Sequence, residues 1–330
     1  MVTGAVRSSV LWAGVAAVVL LLSLAAIAYG AVPLGAHAVL EAVAGRGDPV
    51  TVAIVRTLRL PRTVLALLVG AGLGMAGAAL QGALRNALAE PYLLGVSGGA
   101  AVGAVAAVSL GATGAIALPL ASFAGAALAI AVALLVARAS GGHADPRVLL
   151  MAGVIVGAFA NAAIMVMLAD APPNAVRNAL WWMMGSVGDA SWLTVAWLAA
   201  YVALGAVLLA WLARDIDVLS LGEESAAALG VDAGIASRRI FLIAALLSAA
   251  TVAAAGLIGF VGLVVPHLVR SLGVRRHRAL IAGAALIGAG LVVGADLVAR
   301  LARPPAELPL GAVTALLGVP FFLVQLRRLS

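Results

Sequence analysis

The chain has 330 residues, of which 65% are hydrophobic and only 10% are charged. Soluble domains contain about 45–50% apolar and about 25% charged residues, so a soluble globule of this length could not bury so much apolar surface. The net charge of +7 comes from 20 arginines that stand singly or in pairs between apolar runs, as topogenic charges do. The composition excludes a cytosolic enzyme, a nucleic-acid-binding protein and a disordered protein. It predicts an all-α, polytopic membrane protein whose residues 1–330 form a single transmembrane domain.

Apolar runs of spanning length follow one another along the whole chain. A spanning helix needs roughly 20 apolar residues. The first run resembles a signal peptide, but its core is longer than the about 7–15 residues of such a segment, so we interpret it as the first span. Residues 91–137 carry no charge and are too long for one span, which predicts a turn near Leu110–Gly114. The predicted runs are Val10–Tyr29, Val64–Leu84, Tyr92–Ser109, Ala115–Ala137, Val148–Ala169, Trp192–Ala213, Ile240–Val269, Ala279–Ala295 and Leu308–Leu326.

The run Ile240–Val269 is long enough to contain two helices. As one helix it would extend about 45 Å, and Gly256, Gly259 and Gly262 favour a break. A break near Gly256 gives about ten spans and places both termini on one side of the membrane. That side then carries 13 of the 20 arginines, and the positive-inside rule identifies it as cytoplasmic.

Seven arginines remain on the predicted outer side. One interpretation is ordinary anchoring at the membrane interface. The other is a docking patch for an acidic extracytoplasmic partner. The seven residues are Arg46, Arg56, Arg59, Arg62, Arg177, Arg300 and Arg303. Arg300 follows Asp296 by four residues, so these two side chains are expected to pair on one helical face.

The longest cytoplasmic loop, residues 214–239, predicts a short amphipathic helix. Ser220 and Glu223 have the spacing of a capping box, and Gly230 is typical of a helix end. Such a helix either lies on the membrane or fits a groove in a partner. Its acidic residues Glu223 and Glu224 disfavour anionic lipid, so a partner groove is favoured.

The chain lacks the residues for several kinds of chemistry. Without lysine it has no Walker A motif, so any ATP must be hydrolysed by another chain. It has no cysteine, and its four histidines are scattered, so we predict no metal site and no cofactor in this chain. Gly72, Gly74 and Gly77 match a dinucleotide fingerprint, but no strand precedes them and they lie within a span.

A segment with almost no side chain, Gly95-Val-Ser97-Gly98-Gly99, opens the third span. Small residues at this spacing allow two helices to approach closely, which is one interpretation. The alternative is a stretch that lines a wide, weakly polar path.

Five stretches together resemble the permease subunits of ABC importers for ferric siderophores, haem and cobalamin, the FecCD-type or type II importers. Their order and spacing extend from about residue 50 to the end of the chain. Ala87 departs from the pattern, because the family usually has proline after the preceding asparagine. The stretches are Arg59-Leu-Pro-Arg62, residues 81–100, Leu221-Gly222 with Ala228-Leu229-Gly230-Val231, residues 259–270, and Asp296–Arg300 with Glu307–Gly311 and Gly318–Phe321.

The resemblance implies a homodimeric permease with a path between the two copies. It implies two ATP-binding subunits on the cytoplasmic side and a substrate-binding protein on the other. It also assigns roles to residues: docking of the binding protein to Arg59, Arg62 and Arg300, and coupling to the ATPase at 219–231. The candidate translocation-path residues are those of the small-residue segment in its alternative interpretation, Gly95, Ser97, Gly98 and Gly99. The expected coupling residues are Leu221, Gly222, Glu223, Glu224, Ala228, Leu229 and Gly230.

We therefore expect a non-enzymatic permease of an ATP-driven importer in a bacterial cytoplasmic membrane. The expected cargo is a metal chelate, first a ferric siderophore and then haem or cobalamin. The nearly charge-free spans argue against the first alternative, an ion-gradient-driven secondary transporter. The second alternative, a structural scaffold, leaves the docking features at both faces unexplained.

Overall fold

The computed structural model describes residues 2–30, 32–112, 116–139 and 146–327, which are almost entirely helical. A π-helix, Ile54–Arg59, joins α3 to α4, and a 3₁₀ turn, Pro91–Leu94, precedes α5. In the described ranges the α-helices are α1 (Val2–Ala28), α2 (Ala36–Val43), α3 (Pro49–Ala53), α4 (Leu60–Ala83), α5 (Val96–Ser109), α6 (Ala117–Ala139), α7 (Pro146–Ala169), α8 (Pro173–Met183), α9 (Trp192–Trp211), α10 (Ala213–Leu219), α11 (Glu223–Ala228), α12 (Ala233–Ala255), α13 (Val261–Ser271), α14 (His277–Leu301) and α15 (Leu310–Arg327).

The apolar helices confirm the prediction of about ten spans. Over the described residues, seven are long and apolar enough to cross a membrane, and three shorter apolar helices lie within α5, α13 and α15. The break in the run from Ile240 is also confirmed. Helix α12 ends at Ala255, Gly256 has a φ of 69°, and α13 begins at Val261.

Two spans are longer than predicted, because arginines that were assigned to loops are helical. The second span is continuous from Pro49 to Ala83, although its predicted start was Val64. Pro61 has no amide hydrogen to donate. Just before it, the helix changes to the π-helical hydrogen-bond pattern, in which the Leu60 amide donates to Val55 O, five residues earlier. Helix α14 likewise continues to Leu301, beyond the predicted end at Ala295.

Helix α4 forms the centre of the fold and packs against α14, α12, α13 and α9. Glycines permit this, because a Cβ on Gly70 would lie 2.1 Å from Gly288 O and one on Gly77 would lie 2.0 Å from Gly262 O. The glycines of the apparent dinucleotide fingerprint are therefore part of a helix-packing surface, in agreement with the sequence argument.

Polar residues lie together at both ends of the α4–α14 pair. At one end, which the arginine distribution predicts to be extracytoplasmic, the last turn of α1 meets the start of α4 and the end of α14. At the other end, the last turn of α4 meets α10 and the start of α14. We call these the outer end and the inner end.

We predict that Gly77→Ala destabilises the fold and that Gly14→Ala does not. The methyl group at position 77 would overlap the α13 backbone, and overpacking of this kind costs about 1–3 kcal/mol of unfolding free energy. A Cβ at Gly14 meets nothing within 4 Å, so it only improves helix propensity. Thermal unfolding of both variants in detergent measures the difference, and equal unfolding midpoints would contradict the proposed packing.

Candidate functional site

Two arginines at the outer end bind the carbonyl groups that end α1. Arg59 Nη1 donates to Ile27 O and Ala28 O, each at 2.8 Å, and Arg59 Nη2 donates to Val32 O. Arg300 Nη1 donates to Tyr29 O at 3.0 Å and to Ala26 O. The last carbonyls of a helix have no partner within the helix and carry partial negative charge. Arg59 and Arg300 therefore act as the C-terminal cap of α1.

Arg62 lies between two carboxylates. Its Nε and Nη2 donate to Asp296 Oδ1 at 3.0 and 2.8 Å. Its Nη1 and Nη2 donate to Glu307 Oε1 and Oε2 at 2.9 and 2.8 Å. Arg300 Nε approaches Asp296 Oδ2 at 3.0 Å as an ion pair, without the alignment of a hydrogen bond. Asp296 is thus shared by two arginines, and the expected Asp296–Arg300 pair is confirmed.

We call Arg59, Arg62, Asp296, Arg300 and Glu307 the outer cluster. Its two carboxylates differ in exposure. The Asp296 side chain is 3% exposed, whereas that of Glu307 is 43% exposed. The hydrogen bonds from Arg62 hold the pKa of Glu307 below its ordinary value. This pairing therefore contributes fully above the ordinary pKa of a glutamate and is lost as the pH falls through the lowered one.

The three predicted docking arginines lie together, but all three already have internal partners. Arg59 is 7% exposed and Arg300 is 9% exposed. Only Arg62 borders a half-exposed partner, and the docking role of the three remains a prediction. The sequence did not reveal the Arg62–Glu307 pair, because 245 positions separate the two residues.

At the inner end, the coupling segment differs from the expected capping box. Ser220 Oγ donates to Asp217 O at the end of α10. Helix α11 instead begins after Gly222, whose φ of 110° suits glycine, and no side chain caps it. The capping-box prediction is therefore wrong, because α10 extends to Leu219 and Ser220 is the C-cap of that helix rather than the N-cap of α11. The predicted helix end is confirmed by Gly230, which has a φ of 76°.

The coupling segment presents apolar side chains to its surroundings. Leu221 is 66% exposed and Leu229 is 55% exposed. Ala228 is also exposed, whereas Ala226 is buried and attaches α11 to the fold. The pair of Arg85 with Glu223 at 3.6 Å is exposed at both side chains, and exposed pairs contribute little.

A buried histidine ties α10 to the central helices. The backbone amide and Nδ1 of His277, the first residue of α14, both contact Asp217 Oδ1, at 2.9 and 2.7 Å. The His277 ring also packs so close to α4 that a Cβ on Gly82 would lie 2.4 Å from Nε2. The helix that leads into the coupling segment is therefore held against α4 and α14, which carry the outer cluster at their other ends.

Helix α13 is joined to the end of α4 by a side-chain clamp. Pro266 cannot donate to Gly262 O within the helix, and Gln81 Nε2 supplies that hydrogen bond at 3.3 Å, with a second to Leu263 O at 3.2 Å. Arg270 Nη1 in turn donates to Gln81 Oε1 at 2.5 Å.

The segment that follows α4 is held against α13 by side-chain contacts. Glu90 Oε1 accepts from the Phe260 amide at 2.6 Å, and His267 Nε2 lies 3.0 Å from Ala87 O. His267 thus has a structural partner. Among the described residues, no group of three or more His, Cys, Asp or Glu side chains could hold a metal ion.

The small residues that open α5 lie at helix contacts. A Cβ on Gly95 would be 2.6 Å from Gly153 O of α7, one on Gly98 would be 2.9 Å from the Ala160 Cβ, and one on Gly99 would be 2.5 Å from Gly125 O of α6. Ser97 Oγ donates to Tyr92 O. These contacts favour the packing interpretation, and a pathway role for these residues stays a prediction.

Comparison with known proteins identifies relatives over nearly the whole chain. The model of the FecCD transport family matches residues 17–328. The uncharacterized ABC transporter permease protein YvrB of Bacillus subtilis is 41% identical, covering 86% of this chain and 81% of its own. The cobalamin import system permease protein BtuC of Halobacterium salinarum is 42% identical, over 83% and 73%. A metal-chelate type ABC transporter, solved in an inward-facing conformation, superposes with a TM-score of 0.86 and 29% identity, covering 96% and 98% of the two chains.

We predict that Asp296→Asn strongly destabilises the outer end. The substitution keeps the side-chain volume but leaves Arg62 and Arg300 without their shared charge, and removing one partner of a buried pair costs about 3–5 kcal/mol. Glu41→Gln is the matched control, because Glu41 lies at the same end in an exposed pair with His37. Thermal unfolding in detergent should show a large loss for the first variant alone, and comparable midpoints for the two would contradict the role of Asp296.

Proposed function

Because this chain belongs to the FecCD transport family and is an ABC importer permease, we propose that it imports cobalamin with two ATPase subunits and an extracytoplasmic binding protein. The observation that carries the choice of cargo is the 42% identity to a permease named for cobalamin import. Sequence reasoning had put ferric siderophores first. The named relative moves cobalamin ahead, and ferric siderophore and haem become the competing cargoes.

The proposed complex contains two copies of this chain with the substrate path between them, and no bond chemistry takes place on it. ATP binding would close the ATPase pair, displace the 219–231 segments and rock the spanning helices. Two exposed leucines, Leu221 and Leu229, flank the short helix α11, which itself packs on α10 and α12, and they support a protein contact there. The tie between Asp217 and His277 supports transmission from that contact to α4 and α14.

Docking of the binding protein is proposed at the outer cluster. Its three arginines and two carboxylates leave one positive charge, and Arg56 and Arg303 add exposed positive charge at the same end. Within the cluster, Arg62 is the arginine proposed to contact an acidic partner. Arg59 and Arg300 contribute by holding α1 in place and by raising the local potential. Complementary charge would set the register and association rate more than the affinity.

A secondary transporter remains the second candidate because of one half-buried carboxylate in the connection between two spans. Glu90 lies between α4 and α5 and accepts a hydrogen bond from the Phe260 amide. Intramembrane acids often mark proton pathways. Glu90 also has a structural role, because it accepts a hydrogen bond at the start of α13. Measuring the energy source of uptake therefore distinguishes the two functions.

The test is uptake of radiolabelled cobalamin by proteoliposomes that contain the permease, its ATPase subunits and, outside, its binding protein. We expect uptake that needs ATP and is unchanged by collapsing the proton gradient. Uptake by the permease alone that follows a proton gradient and is lost in Glu90→Gln would establish the secondary transporter instead. ATP-driven uptake of a ferric siderophore or haem, without cobalamin uptake, would reject the proposed cargo alone.

We predict that Leu221→Ser combined with Leu229→Ser uncouples the importer without unfolding the permease. Both side chains are exposed, so their loss costs the isolated chain little, whereas a hydrophobic contact with the ATPase would be lost. Leu40→Ser is the control, because Leu40 is equally exposed, at 67%, but lies at the outer end. Stimulation of ATP hydrolysis by the binding protein should fall about tenfold only in the double variant, and full stimulation in it would exclude this contact surface.

A further inference from the structure

Glu307 occupies a place that an incoming protein carboxylate could take. We propose that in the free chain Glu307 is an internal substitute for an acidic residue of the binding protein, and that docking exchanges one carboxylate for the other on Arg62. This inference rests on the docking proposed above and adds to it a competitor built into the permease. The partner is an acidic side chain on a folded extracytoplasmic protein.

The two carboxylates on Arg62 differ in their freedom to leave. Asp296 is almost fully buried and also neutralises Arg300, so its departure would leave two buried charges unpaired, which is strongly unfavourable. Glu307 has no second cation within ion-pair distance among the described residues, and its half-exposed side chain can return to water. Only the Glu307 position on Arg62 can therefore be exchanged.

The other arginines of the outer cluster offer no comparable place. The Nη atoms of Arg59 and Arg300 donate to the carbonyls that end α1. A carboxylate that took them would uncap α1. On Arg62 the exchange replaces a bidentate pair with one of the same kind, so the number of buried ion pairs is unchanged.

The backbone around Glu307 allows its side chain to move without disturbing α15. Residues 301–307 are exposed, but the chain is fixed immediately afterwards. The Leu308 amide bonds to Ala299 O at 2.9 Å, and the Leu310 and Gly311 amides bond to Gly185 O and Met184 O. The release of Glu307 is thus a local event.

A tethered competitor has a predictable effect on affinity. Glu307 is held beside Arg62 at a high effective concentration, so it weakens every docked state by the same factor. A binding protein that must deliver its cargo and depart benefits from such weakening, because affinity differences in one interface are mostly differences in dissociation rate.

The experiment measures binding of the importer's substrate-binding protein to the permease–ATPase complex in nanodiscs by surface plasmon resonance. We expect Glu307→Gln to tighten binding by about three- to tenfold, mainly through slower dissociation, since a partly exposed ion pair is worth on the order of 1 kcal/mol. Glu41→Gln removes the same charge from the same end, and its effect gives the long-range contribution to be subtracted. Glu307→Asp keeps the charge but shortens the reach to Arg62, and it should tighten binding in the same direction by less.

A double-mutant cycle separates the exchange from simple docking. Arg62→Gln should weaken binding at least tenfold, and in that background Glu307→Gln should change binding no more than Glu41→Gln does. If Arg62→Gln weakens binding while neither Glu307 variant exceeds the Glu41 control, docking stands and the exchange is wrong. If Arg62→Gln leaves binding unchanged, docking at Arg62 is wrong and the exchange falls with it. The Glu307→Asp variant decides the question if Glu307→Gln does not assemble.

Discussion

The buried carboxylate of Asp296 is the interaction on which the outer end of the protein depends. Arg62 and Arg300 approach it from two helices, α4 and α14. An unpaired charge in this apolar bundle would be very costly. The shared carboxylate therefore fixes the register of α4 against α14. It also leaves the remaining donors of Arg300 free to bind the end of α1, so that one acid organises three helices.

The same two helices connect the outer end to the inner end. Glycine contacts such as Gly70 with Gly288 leave no room for side chains between α4 and α14. Closely packed helices move as a unit more readily than they deform. At the inner end, His277 and Asp217 join this unit to α10 and thus to the segment with the exposed leucines. In the proposed importer, this rigid and continuous set of contacts would carry a signal between the binding protein and the ATPase.

Much of this architecture could be predicted from the sequence because lipid imposes simple rules. The length of the apolar runs predicts the spans, and the glycines after Ala255 predict the break before α13. The start of the second span was not predictable by hydropathy, since Arg59 and Arg62 are polar by type but bind partners on other segments of the chain: backbone carbonyls for Arg59 and two carboxylates for Arg62. The Arg62–Glu307 pair and the hydrogen bond from Gln81 to Gly262 O could not be predicted for the same reason. Sequence patterns report local periodicity, whereas these contacts depend on tertiary structure.

The arginines that violate the positive-inside distribution have two distinct physical explanations. Arg59 and Arg300 are retained at the outer end because helix α1 ends there and its last carbonyls need donors. Arg62 is retained because two acids, Asp296 and Glu307, surround it. Since both explanations are internal, the presence of outward arginines is not in itself evidence for a docking partner. What distinguishes Arg62 is that one of its acids is half exposed, and the proposed docking depends on that asymmetry rather than on the number of arginines.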